Sequence, residues 1–116
     1  MKKKLLYITF CLIALVPFCT GTKKVQTVNV EPAVSWQKDV FPILADRCTP
    51  CHFPETGKKK LLNTYEASAE SIDDIIMRIQ LAQDAPGFMP FKNKKEPLSD
   101  SLIHVFVLWK EQGLLP

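Results

Sequence analysis

The sequence predicts an all-α domain with long loops, and three observations carry that expectation. Apolar residues recur at helical spacing in two stretches: Ile72, Ile75, Ile76 and Ile79, then Leu102, Val105, Phe106 and Trp109. No alternation of apolar and polar residues runs longer than a few positions, as a half-buried strand would require. The intervals between the periodic stretches are punctuated by Pro, Gly and Lys, and no internal repeat is present. With 116 residues, the chain is long enough for one small domain and not for two.

Ahead of the domain, Lys2, Lys3 and Lys4 precede the apolar run "LLYITFCLIALVPFC", Leu5 to Cys19. A basic start followed by an apolar run of this length reads as a secretory signal, too short for an ordinary spanning helix. The bland alternative, a buried first helix of the domain, is disfavoured because the run is apolar on all faces. Cys19 stands where a bacterial lipoprotein carries its lipidated cysteine, although Phe18 occupies a position where that pattern has Gly, Ala or Ser. Ordinary signal-peptidase cleavage near Thr20 or Gly21 is the rival expectation. Cys11, inside the run, counts as a small apolar residue.

Residues 1–19 are thus read as the signal, 20–33 as a linker and 34–116 as the domain. All twelve acidic residues and twelve of the fifteen Lys and Arg lie beyond Cys19, so the formal charge falls from +3 to neutral after the cut. A neutral domain argues against nucleic-acid binding, which needs a net basic face. The linker, "TGTKKVQTVNVEPA", is polar and aperiodic, with an r.m.s. reach of about 20 Å when flexible. It suits a tether as well as it suits an idle N-terminus.

In "SWQKDVFPILADRC" the apolar positions Val40, Phe41, Ile43 and Leu44 predict a short helix from Asp39 to Cys48. Pro42 is compatible with its first turn but not with its middle. Cys51 to Asn63 contains Pro54, Gly57 and three lysines and reads as loop; Thr64 to Glu70 has room for one or two helical turns. Ser71 then caps the helix "SIDDIIMRIQLA", with Asp73 and Asp74 where the helix dipole favours acids. "QDAPGFMPFKNKKEPL" must be loop. In the last helix Ser99 caps, Leu98 is placed to staple onto Ile103, and Gly113 ends the run. Helices cover less than half of residues 34–116, and loops this long call for something to hold them.

That something is suggested by "RCTPCHF", where Cys48, Cys51 and His52 fall within five residues. Outside the cytoplasm a lone cysteine pair ordinarily ends as a disulfide or is held by something else. A disulfide between residues three apart is geometrically awkward. Zinc takes four ligands; Cys48, Cys51, His52 and His104 reach that count, but three near neighbours do not easily make a tetrahedron. A thioredoxin-like pair wants strands around it and its first cysteine at a helix N-terminus, whereas Cys48 falls at a helix end. Covalent haem asks for this spacing. Two thiols reach two vinyl groups of one porphyrin, and the histidine after the second cysteine reaches the iron.

The domain resembles a class I c-type cytochrome, in particular short bacterial monohaem domains with Cys-x-x-Cys-His and Met-Pro motifs. The residues that carry the likeness are "VFPILADRCTPCH", "KKKLLNTYEAS", "GFMPF" and "LSDSLIHVFVLWKEQG", which together span Trp36 to Gly113. The resemblance implies a cytochrome c-like helical fold whose first and last helices pack together and whose loops wrap one covalent haem c. Cys48 and Cys51 would carry the thioethers and His52 the proximal iron bond.

For the distal iron position the candidate is Met89, whose loop is constrained by Pro86, Gly87 and Pro90 and whose thioether suits an electron-transfer haem. Met77, His104 or an open site are the alternatives. Phe53, Leu61, Leu62, Phe88 and Phe91 are candidates for an apolar shell that raises the potential. Tyr65, Trp109, Arg47 and Arg78 are candidates for the propionates. Two lysine clusters, Lys58 to Lys60 and Lys92, Lys94 and Lys95, flank the same loops; they either steer an acidic partner or are simply solvated.

The expected function is one-electron transfer in the periplasm by a non-enzymatic, monomeric domain, tethered to a membrane if Cys19 is lipidated. Its partners would be periplasmic or membrane redox proteins, with no nucleic acid. A haem-based sensor or enzyme subunit with an open distal site, or an electron-entry module of a larger redox complex, are the other readings.

Overall fold

The structure, a computed structural model, describes residues 31–55 and 59–116. The signal, most of the linker and the Cys19 lipidation expectation lie outside them. The compact unit runs from Glu31 to Pro116.

Ser35 starts the first helical segment. Its Oγ accepts from the Lys38 amide at 3.4 Å, while its own amide donates to Asp39 Oδ2 at 2.8 Å. Side chain and backbone thus cap reciprocally, as a capping box does. A wide π-helical turn, Trp36–Val40, leads into α1, Phe41–Arg47. The predicted helix is therefore present but begins about three residues earlier. Pro42 sits in the first turn of α1, directly after the π-helical turn.

Next come α2, Tyr65–Glu70, and α3, Ile72–Ile79. Thr64 caps α2 by accepting from the Ala67 amide at 3.3 Å. Ser71 precedes α3 but does not cap it with its side chain. Because α2 ends immediately before it, its hydroxyl bonds back to the Ala67 carbonyl at 2.6 Å, a competing local bond open to any serine one turn beyond a carbonyl. A short 3₁₀ turn, Phe91–Asn93, precedes α4, Asp100–Glu111. Ser99 occupies the cap position of α4 without a side-chain cap bond. Gly113, at φ +89°, lets the chain turn away, and the Leu114 amide closes onto the Trp109 carbonyl at 2.9 Å. All regular structure among the described residues is helical, with no strand.

The core gathers Val40 and Leu44 from the first segment, Ile72, Ile75 and Ile79 from α3, and Phe106 and Trp109 from α4. The last helix packs on the π-helical turn of the first segment and on α3. The first and last helical segments do meet, through Trp36–Val40 rather than through the body of α1. The C-terminal residues fasten this junction. Leu115 O accepts from the Trp36 amide at 2.8 Å and from Trp109 Nε1 at 2.7 Å, and Leu114 O accepts from the Tyr65 hydroxyl at 2.7 Å. At the other end, Glu31 to Val34 lie against α4: Gln112 bonds both the Val34 amide and the Pro32 carbonyl.

Trp109 has no exposed surface and supplies one of these bonds. Trp109→Ala is expected to cost about 3–5 kcal/mol, because ring transfer and cavity terms add. Trp109→Phe keeps an aromatic ring and drops one donor, at a cost of about 0.5–1.5 kcal/mol for that hydrogen bond, since Leu115 O keeps the Trp36 amide. Urea unfolding measures both, and equal midpoints for the two variants would contradict this packing.

Candidate haem cavity

α1 ends where the motif begins. The Cys48 amide donates to Leu44 O at 2.9 Å as the helix C-cap, and the Thr49 hydroxyl donates to Ala45 O at 2.8 Å. The chain then turns so that the His52 amide reaches Cys48 O at 3.0 Å. Cys48 is half-buried, Cys51 is exposed, and neither is in a disulfide.

His52 is held from both sides. Its carbonyl accepts from the Leu62 amide at 2.9 Å, and its ring Nδ1 lies 2.6 Å from Lys60 O. A carbonyl oxygen only accepts, so Nδ1 carries the hydrogen, and in the neutral ring Nε2 is the nitrogen with the lone pair. This arrangement orients a metal-binding imidazole and strengthens its donor nitrogen. The loop that supplies Lys60 and Leu62 is itself fastened by Ser68, fully buried, whose hydroxyl lies 3.0 Å from Leu62 O and 2.8 Å from Thr64 O.

Cys48, Cys51, His52 and Met89 all line one cavity of about 550 Å³, within the range of small-molecule and cofactor sites. Two cysteines, a histidine and a methionine 37 positions beyond the histidine are brought to a single space. Its apolar wall is Leu62, Ile75, Ile79, Pro90, Phe91 and Leu98. Its polar edge carries six cations, Arg47, Arg78, Lys59, Lys60, Lys94 and Lys95, against one acid, Asp74.

Burial pushes the Cys48 thiol up to about 11. It is therefore protonated at neutral pH, the opposite of the low-pKa thiolate that opens a redox pair. Among the described residues no three His, Cys, Asp or Glu side chains are grouped to hold a metal ion, so Cys48, Cys51 and His52 do not converge as a zinc set would. The donor chemistry instead fits an iron porphyrin: two thiols and an oriented imidazole at one end of the chain's path round the cavity, and a thioether on another loop.

The other expected residues divide. Met77 is exposed and away from the cavity, and His104 lines a separate, more open groove, 3.4 Å from Glu31 Oε1. Neither shares a space with His52. Of the five expected shell residues only Leu62 and Phe91 face the cavity. Phe53 is buried in the core near Phe41, Phe88 faces the His104 groove, and Leu61 is exposed. Tyr65 and Trp109 do not line this cavity, and their polar hydrogens serve Leu114 O and Leu115 O. Arg47 and Arg78 do line the cavity. Arg47 Nη1 also bonds the Glu96 carbonyl at 2.9 Å.

Ile75, Ile79 and Leu98 were not expected in the wall. The first two lie on the apolar stripe of α3, and the periodicity that marks them as buried does not say whether protein or cofactor covers them. No protein-family model, curated protein or solved structure matches the chain. Among the described residues no helix is long and apolar enough to cross a membrane.

Proposed function

We propose that this chain is an exported monohaem c-type cytochrome, a one-electron carrier rather than an enzyme, with a periplasmic domain that Cys19 tethers to a membrane when lipidated. One observation carries the reading: His52, oriented through Nδ1, opens onto the same cavity as Cys48, Cys51 and Met89.

Each residue then has a task. The Cys48 and Cys51 thiols would hold the haem group, each adding its sulfur and hydrogen across one vinyl double bond with nothing leaving. His52 Nε2 and the Met89 thioether would be the protein's two donors to the iron. When bound, haem c supplies one reversible electron between ferrous and ferric iron. Leu62, Ile75, Ile79 and Leu98 exclude water, which with the methionine sulfur favours the reduced form. Arg47, whose guanidinium lines the cavity, suits the propionates.

Absorption spectra of oxidised and reduced protein test this. Pigment that survives acid–acetone extraction, with a weak long-wavelength iron–sulfur band in the oxidised form, is the expected result. Pigment stripped by acid–acetone from matured protein would end the reading. Carbon monoxide separates the sensor alternative, since rapid and complete binding to the reduced protein means an open distal site.

The cationic edge of the cavity sets a further expectation. An anionic inorganic oxidant should accept electrons from the reduced protein several-fold faster than a cationic one of equal driving force. The advantage should shrink as salt rises from about 0.01 M to about 0.15 M and the Debye length falls from about 30 to about 8 Å. Stopped-flow rates that ignore both reagent charge and salt would leave the six cations as ordinary solvated side chains.

A further inference from the structure

Arg78 touches the Met89 loop twice. It stands in the last turn of α3, where helix carbonyls lack intrahelical partners, and its own carbonyl accepts from the Met89 amide at 3.3 Å. Its side chain reaches over the same loop, and Nη1 donates to Gly87 O at 3.3 Å. Asp74, one helical turn earlier, receives Nε at 2.8 Å and aims the guanidinium. The loop is therefore stitched to one residue on both sides of Phe88, whose ring is buried facing the neighbouring groove.

Gly87 is built for this approach. Its φ of +91° is one that L side chains rarely adopt, and a Cβ there would stand 3.2 Å from Arg78 Nη1. Arg78, Asp74, Gly87 and Met89 all line the candidate haem cavity.

We infer that Arg78 is the positioning residue for the distal ligand: its guanidinium grips the Gly87 carbonyl so that the Met89 sulfur is held on the iron. The inference rests on the His52/Met89 reading above. Arg78 does not touch the iron. It raises the cost of letting Met89 swing away, and so sets how readily an outside ligand takes its place. The grip needs the forked guanidinium, because one nitrogen serves Asp74 while another serves the loop.

The test uses covalently loaded, full-length protein. The readouts are the iron–sulfur band of the oxidised form and the affinity of that form for imidazole. Arg78→Ala is expected to weaken the band and tighten imidazole binding about threefold to tenfold, the size of one ordinary net hydrogen bond, since this one is exposed and 3.3 Å long. Arg78→Lys should fall between, since charge remains but the fork is lost. Asp74→Asn should change the affinity by only about twofold, as an exposed pair one turn apart is worth little. Gly87→Ala, which crowds Nη1 from the other side, should reproduce the Arg78→Ala result and serves as the second variant should Arg78→Ala yield no holoprotein.

An Arg78→Ala protein with wild-type band and imidazole affinity overturns the inference while leaving Met89 as ligand. A changed reduction potential with band and affinity unaltered does the same, and reassigns Arg78 to a propionate. A wild-type holoprotein that lacks the band and binds carbon monoxide freely removes the inference together with the reading beneath it.

Discussion

A chain in which both Cys48 and Cys51 are alanine is expected to hold no pigment through acid–acetone extraction. Either single variant should retain covalent pigment through one thioether. The pyridine haemochrome band should move to longer wavelength with each vinyl group left in conjugation. The stability effect should be as large as the chemical one. A cavity of about 550 Å³ is walled in part by Ile75 and Ile79 of α3, which also belong to the core. An unfilled apolar space costs stability in proportion to its volume, and a domain this small has little to spare. We expect the double variant to lose most of its helical circular dichroism at 37 °C. Retention of native helix content, or of acid-resistant pigment, by the double variant would contradict the assignment of the motif.

Met89→Ala is expected to keep the covalent pigment and lose the iron–sulfur band. Its reduced form should bind carbon monoxide, which the wild type is expected to exclude. The reduction potential should fall by on the order of 0.2 V, a fraction of the roughly 0.8 V that axial ligands span. A soft thioether stabilises ferrous iron more than ferric, and water or hydroxide in its place reverses that preference. Met77→Ala serves as control, since Met77 is exposed and lines no part of the cavity. Voltammetry and a carbon monoxide titration of the two variants decide the matter. Identical behaviour of the Met89 variant and the wild type would leave the distal position to another group.

Helix positions were legible in the sequence because the signals that set them are local. Pro42 marked the first turn of α1, Gly113 the exit from α4, and the isoleucine stripe the buried face of α3. Ser71 misled because two helices abut there, and a hydroxyl one turn beyond the Ala67 carbonyl takes that partner instead of a forward amide. The first segment began early because the capping exchange between Ser35 and Asp39 nucleates it ahead of the apolar run.

Donor type and spacing in the motif were written in the sequence, since Cys48, Cys51 and His52 are neighbours whose separation the chain alone dictates. Which space they would share, and with what, was not. That Met89 and not Met77 or His104 joins His52 depends on the paths of α3 and the loop after it, which bring residues 37 positions apart to one cavity. The use made of each donor was likewise a tertiary matter. Tyr65 and Trp109 lose their polar hydrogens to Leu114 and Leu115, whereas Arg78 reaches the Gly87 carbonyl. Composition and spacing decide which chemistry a chain can offer. Only the packing of distant segments decides which groups face one another, because side-chain direction follows from contacts that no local pattern encodes.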